Sequence, residues 1–244
     1  MAVSCFFWVL TGIGILAFAA VYRLPETLPT HRRGTQPVLG AFKAYGNVLR
    51  SRHVIGYTAA VGLFYSGVFA NISGSSFAYI GYHGLTPQLY GIVFAVGVVG
   101  LMMTSQLNVR LVRQVGADRM LRIGGLGSAV AGVALAIATA TDLGGVAGMA
   151  ICLWCFTAMN GFITANAISG AAAGFPKNAG AVSAVAGAVQ YGSGMLGSAI
   201  VAAFADGSPF PMGMVIALSG LGCLGSVCLL IGDRRKPAKR ELRA

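Results

Sequence analysis

The side chains able to do chemistry in this sequence are polar but uncharged, and they stand inside hydrophobic stretches. On one such stretch Thr157, Asn160, Gly161 and Thr164 recur at three- and four-residue steps, the spacing that shares one face of a helix. On another, Phe64, Val68, Asn71 and Ser75 do the same, and Gln190 lies within a third. An amide in an apolar medium must be hydrogen-bonded. Two arrangements meet that demand: bonds between packed helices, or a polar cavity. In the cavity reading Asn71, Asn160, Thr164 and Gln190 contact a ligand or cavity water. Phe64, Tyr65, Trp154 and Phe156 then supply apolar surface for the body of an amphipathic small molecule.

The absent residue types narrow the chemistry further. All six acidic residues, Glu26, Asp118, Asp142, Asp206, Asp233 and Glu241, fall in hydrophilic segments or at the edges of hydrophobic ones. Proton relays, ion-coupled pumps and retinal Schiff bases are built from ionisable groups inside the membrane, and this chain has none to offer there. His31 lies in a loop and His53 and His83 at span edges, so a metal-dependent membrane enzyme lacks its ligands. Cys152-x-x-Cys155 has a redox spacing, but its apolar surroundings disfavour a thiolate. These two, like Cys5, Cys223 and Cys228, read as small packing residues. The sequence therefore predicts no catalytic residue, no cofactor, no metal, and a protein that is not an enzyme.

The elements that must carry these faces follow from composition. The chain has 244 residues, 56% hydrophobic and only 9% charged, with a mean hydropathy of +0.77. An ordinary soluble domain is about 25% charged, and so few charges cannot cover a water-facing globule. A membrane helix needs about 20 apolar residues. Runs at about 3–22, 54–80, 88–108, 122–141, 146–168, 180–204 and 211–231 predict seven spans. The net charge of +11 is concentrated rather than spread. Sixteen of the seventeen basic residues lie in three stretches, Arg23 to Arg52, Arg110 to Arg122 and Arg234 to Arg243. That is the pattern of cytoplasmic loops; a nucleic-acid partner is excluded. Parity places the amino terminus outside and the carboxyl terminus in the cytoplasm. Residues 1–10 contain no Lys or Arg, so the first run lacks the basic flank of a signal peptide and reads as a true span. With no loop before it, the chain reads as one that starts in the middle of a larger fold.

The expected organisation is a first transmembrane helix over 1–22, a cytoplasmic central loop over 23–53, a six-helix bundle over 54–231 and a basic cytoplasmic tail over 232–244. Within the loop, Thr35 and Pro37 can open an amphipathic helix with Leu39, Phe42, Tyr45 and Leu49 on its apolar side. The 36 glycines suit close helix packing, because lipid supplies no hydrophobic drive for helix association. In the sixth span Gly180, Ser183, Gly187, Gln190, Gly194 and Gly197 form such a stripe.

Four segments carry a family resemblance. They are Leu24-Pro25-Glu26-Thr27-Leu28, opening the long basic loop, and Phe77-Ala-Tyr-Ile-Gly-Tyr-His-Gly-Leu-Thr-Pro-Gln-Leu-Tyr-Gly91. With them stand Asn108-Val-Arg-Leu-Val-Arg-Gln-Val-Gly116 and Phe175-Pro-Lys-Asn-Ala-Gly-Ala-Val-Ser-Ala184, the last followed by Gln190. In this order and topology the chain resembles the Bcr/CflA multidrug efflux transporters of the major facilitator superfamily, from about residue 3 to 231. Members export structurally varied antibiotics and other small compounds in exchange for protons.

The resemblance implies an all-α polytopic membrane protein of seven transmembrane helices, corresponding to helices six to twelve of a twelve-helix fold. It implies a missing amino-terminal half as partner, and in that half the carboxylates for proton coupling. The second and fifth spans would flank the central cavity, with the first, fourth and seventh as scaffold. Arg113, Gly116 and Arg119 would shape a cytoplasmic gate, although Val112 stands where the family usually has Asp, and Ser76 where Pro is common. The implied function is export of drug-like amphipathic small molecules by proton antiport across a bacterial inner membrane. Two alternatives remain: a truncated, non-transporting membrane module, and a major facilitator importer of an uncharged metabolite. An anionic substrate would need a buried Arg or Lys, which the spans lack.

Overall fold

The computed structural model describes residues 2–23, 45, 46, 48, 50–175 and 178–231. Every element among them is a helix. The chain divides into two compact units, Met1–Gly40 and Ala41–Ala244. The first contains α1, Ala2–Tyr22. At about 1.5 Å per residue its 21 residues extend roughly 32 Å, enough for a hydrocarbon core of about 30 Å. Thr11 donates back to the Phe7 carbonyl at 2.9 Å, so its hydroxyl makes no demand on a second helix.

The second unit holds α2 (Arg52–Tyr82), α3 (Pro87–Val115), α4 (Ala117–Thr141), α5 (Gly145–Ala173), α6 (Ala179–Ala203) and α7 (Phe210–Leu229). All six are long and apolar enough to cross a membrane. The described chain is thus an all-α polytopic membrane protein, with six spans in the second unit and the apolar helix α1 in the first. Helix α2 packs against α6 and α7, α4 against α7, and α5 against α3 and α4. Helices α4 and α7 cross through reciprocal glycines: a Cβ on Gly132 would meet the Ile216 carbonyl at 2.9 Å, and one on Gly220 the Ser128 carbonyl at 2.5 Å. Backbones this close need small residues at the crossing.

Local chemistry sets the ends. Thr86 caps α3, its hydroxyl accepting from the Leu89 N–H at 3.4 Å, and Pro87 occupies the first turn, where no intrahelical N–H partner is needed. Asp142 closes α4 in the left-handed region at φ 54°. Between α6 and α7, Asp206 accepts from the Ser208 N–H at 2.9 Å and its hydroxyl at 2.7 Å. Those bonds hold the exposed Asp206 carboxyl below the usual carboxylate range, the Ser208 hydroxyl being the larger cause.

Two expectations need correction. The 13-residue loop expected over 109–121 is almost entirely helical: α3 runs on to Val115 and α4 begins at Ala117. Hydropathy marks where the chain leaves hydrocarbon, whereas a helix can continue past that level because long Arg side chains suit the headgroup region. The sixth-span stripe is divided in the same way. Gly194 lies against Phe69 and Gly197 against Ser66 of α2, but Gly180 and Gly187 meet nothing within 4 Å. Of the central-loop helix, only Tyr45, Gly46, Val48 and Arg50 are described and helical, with Val48 fully buried. Leu39, Phe42 and Leu49 lie outside the described residues, as do Glu26, Lys177 and the tail over 232–244.

Candidate substrate cavity

A cavity of about 190 Å³ lies among α2, α3 and α5. Helix α2 contributes Asn71, Ser75 and Tyr79, α3 contributes Tyr90, and α5 contributes Trp154 and Asn160. None of its described walls is Asp, Glu, Lys or Arg. Asn71, Ser75 and Tyr79 follow one another at four-residue steps. The last falls in a π-helical turn, Phe77–Tyr82, where the His83 N–H reaches the Ala78 carbonyl at 3.3 Å. The wider turn rotates less per residue than an α-turn, so Tyr79 stays in line with Ser75 instead of drifting around the helix. Single π turns of this kind are frequent at functional sites.

Polar groups on the two sides of the cavity differ in how they are satisfied. The Tyr90 hydroxyl lies 3.0 Å from Ser75 Oγ and accepts from Ser76 Oγ at 3.1 Å. The Trp154 indole N–H donates to the Val96 carbonyl at 3.1 Å, tying α5 to α3 with the ring as wall. Asn160 Oδ1 accepts from the Thr164 hydroxyl. Helix α5 is interrupted at Met159, between its two segments Gly145–Ala158 and Asn160–Ala173. Thr104 of α3 donates to the Ala158 carbonyl at this break, at 2.5 Å.

Of the eight side chains expected at a cavity, Asn71, Trp154 and Asn160 line this one. Phe64, Tyr65, Phe156, Thr164 and Gln190 do not. Phe64 is fully buried and stacked on Phe156, with centroids 5.0 Å apart, because both rings fill the α2–α5 contact. Thr164 stands one turn beyond Asn160 and orients its amide oxygen. Gln190 is buried in α6, on the face whose Gly194 and Gly197 lie against α2. Tyr79 and Tyr90 stand in the 77–91 segment that carries the family resemblance, which implies no role for them. The four-residue spacing from Asn71 through Ser75 would have found Tyr79. A further pair is made only by packing: Asn166 donates to Asn108 at 2.7 Å and to the Phe162 carbonyl at 2.7 Å, both amides buried between α3 and α5.

The expected gate residues stand at the other end of the bundle. Gly116 separates α3 from α4 with φ 87°, a conformation that favours glycine, and donates to the Val112 carbonyl at 2.9 Å. With Arg119 it lines a second, open recess of about 690 Å³ that also includes Tyr57 and Asp118. Arg113 is exposed on the last turn of α3. The bond that crosses this recess was not expected: the buried Tyr57 hydroxyl of α2 donates to Asp118 of α4 at 2.5 Å. Tyr57 fits because Gly170 of α5 has no side chain where its ring lies.

Residues 3–198 match the model of the Major Facilitator Superfamily. The chain is similar to a bicyclomycin resistance protein homolog of Haemophilus influenzae, 31% identical over 210 residues, which cover 84% of this chain and 52% of that protein. It is also similar to an uncharacterized MFS-type transporter, YdgK, of Bacillus subtilis, 26% identical over 216 residues, covering 88% and 53%. The chain spans about half the length of these relatives. An all-helical bundle of long apolar spans, with a match over residues 3–198, places the chain in the Major Facilitator Superfamily, as a Bcr/CflA-like member.

Proposed function

We propose that the chain forms half of the pathway by which drug-like amphipathic small molecules are exported in exchange for protons. The observation that carries this reading is the cavity among α2, α3 and α5, where amide and hydroxyl groups face aromatic surface with no fixed charge. Asn71 and Asn160 would bind polar parts of the substrate and Trp154 would stack on apolar parts. Thr164 would hold the Asn160 amide in place. Arg113, Gly116 and Arg119 would form the cytoplasmic gate, with both this recess and the carboxyl terminus in the cytoplasm and the amino terminus outside.

The other half is inferred from two observations. The relatives are about twice as long. In addition, only 11% of the apolar stretch of α3 is buried, against 61% of that of α2, although α3 carries one wall of the cavity. Further helices would close that wall and bring the carboxylates that proton coupling requires.

The test is bicyclomycin accumulation in an efflux-deficient bacterium, with and without a proton uncoupler. Residues 1–244 would be expressed alone and together with the amino-terminal half of the Haemophilus relative. Export that appears only with both halves, is abolished by the uncoupler and is altered by Asn160→Leu is the expected result. Uncoupler-sensitive export by the chain alone would overturn the need for a second half. No export from the inserted pair would overturn the transport reading.

A further inference from the structure

Tyr79 is the residue of the cavity whose chemistry is left unused. Its side chain is only 2% exposed, it forms part of the cavity wall, and its hydroxyl has no hydrogen-bond partner among the described residues. A buried phenol without a partner is costly, and buried tyrosines ordinarily find one. Its neighbour shows the contrast: Tyr90, with its ring 5.8 Å away, is held by Ser75 and Ser76. One turn beyond Ser75, Asn71 is also buried and makes no side-chain hydrogen bond to a described residue. The two open groups therefore stand on one stripe of α2, two turns apart, on a wall that has no charge to pair with an ion.

Resting on the reading of this cavity as the substrate site, we propose that Tyr79 is its specificity-determining anchor, and that the ligand class is uncharged and hydrogen-bonding. The phenol donates to an acceptor oxygen of the ligand, such as an amide carbonyl or hydroxyl, and Asn71 binds a second polar group on the same molecule. An ionised ligand is selected against. It would give up hydration on entering a low-dielectric space whose described walls on α2, α3 and α5 offer dipoles but no counter-charge. An apolar ligand of the same shape is selected against because it leaves both groups unsatisfied, the asymmetry by which polar sites reject analogues.

Three small probes that share a phenyl body and differ in charge test this. They are neutral N-acetylphenylalaninamide, cationic phenylalaninamide and anionic N-acetylphenylalanine. The purified full chain in lipid nanodiscs carries Trp8→Phe, so that Trp154, the second of its two tryptophans and a wall of the cavity, reports occupancy by its emission. The neutral probe is expected to half-saturate at a concentration at least tenfold lower than either ion. Tyr79→Phe is expected to weaken it about three- to tenfold, the range of one neutral hydrogen bond. The same variant is expected to unfold at an equal or higher temperature without ligand, since it removes an unsatisfied buried group. Loss of binding with no loss of stability separates an anchor from a packing residue.

Equal binding by Tyr79→Phe would overturn the anchor. A cation or anion that binds as tightly as the neutral probe would overturn the ligand class, and that comparison needs no variant to fold. Failure of every probe to move the Trp154 emission in the unsubstituted cavity would overturn the cavity reading itself, along with this inference. That result is distinct from the first two, in which the neutral or charged probe still binds.

Discussion

Substituting Gly161 by alanine should loosen the contact that holds the cavity's α5 wall to α3. A Cβ at Gly161 would lie 2.5 Å from the Ser105 backbone nitrogen and 2.5 Å from Thr104 Oγ1. Non-bonded carbon contacts are best near 3.5–4.0 Å, so the helices must part by about 1 Å. The displaced atoms belong to a backbone and to a hydroxyl already bonded to the Ala158 carbonyl, so nothing flexible can absorb the shift. Overpacking of this kind costs about 1–3 kcal/mol. The Thr104–Ala158 and Asn166–Asn108 bonds flank the contact, and interhelical bonds in membranes average about 0.6 kcal/mol each. Against this, Gly to Ala in a helix gains up to about 1 kcal/mol.

The net expectation is a loss of about 1–3 kcal/mol. For a chain of this size each kcal/mol moves the unfolding midpoint by about 2–4 °C, so the midpoint in a fixed detergent should fall by roughly 2–12 °C. Gly187→Ala is the matched control. It lies within α6 with no atom within 4 Å, and keeps only the propensity gain, a rise of at most about 4 °C. A Gly161→Ala midpoint at or above that of the unsubstituted chain would refute the close-approach argument.

Two further outcomes follow from the two ends of the bundle. Tyr57→Phe and Asp118→Asn, combined in a double-mutant cycle on thermal stability, should show a coupling of about 0.5–1.5 kcal/mol for the bond across the gate recess; additive effects would sink the assignment of that bond as a tie between α2 and α4. At the α6–α7 turn, the bonds from Ser208 keep Asp206 ionised below the usual carboxylate range. A lowered folded value means their stabilisation is complete above the ordinary aspartate pKa of about 3.9 and is lost as pH falls through the lowered one. Ser208→Ala should therefore move the Asp206 midpoint up in a carboxyl-carbon NMR titration, and an unmoved midpoint would contradict the cause.

The sequence by itself determined the class of protein and its helices, because those depend on quantities that add along the chain. Sparse charge and long apolar runs leave no soluble alternative, and the clustering of sixteen basic residues into three stretches marks where the apolar runs stop. It also singled out Asn71, Trp154 and Asn160, which stand on the cavity wall, since a polar residue deep in an apolar run is conspicuous wherever the helix happens to pack. What it could not determine was which side of each helix meets which neighbour. Phe64 and Gln190 have the same composition signal as cavity residues, but α2 turns Phe64 onto Phe156, and α6 buries Gln190 on the face that packs toward α2.

Helix ends depart from the ends of the apolar runs where hydropathy and hydrogen bonding part company. Arg110 and Arg113 end the apolar run, but the α3 ladder continues because each residue still has a carbonyl four positions back. Tertiary structure alone also decided which polar groups are satisfied. Asn108 and Asn166 are 58 residues apart and answer each other. Tyr57 finds Asp118 across 61 residues. Tyr79, in a π turn that keeps it in line with Asn71 and Ser75, finds no partner among the described residues. Satisfaction is a property of pairs brought together by packing, and a single chain of letters records only the members.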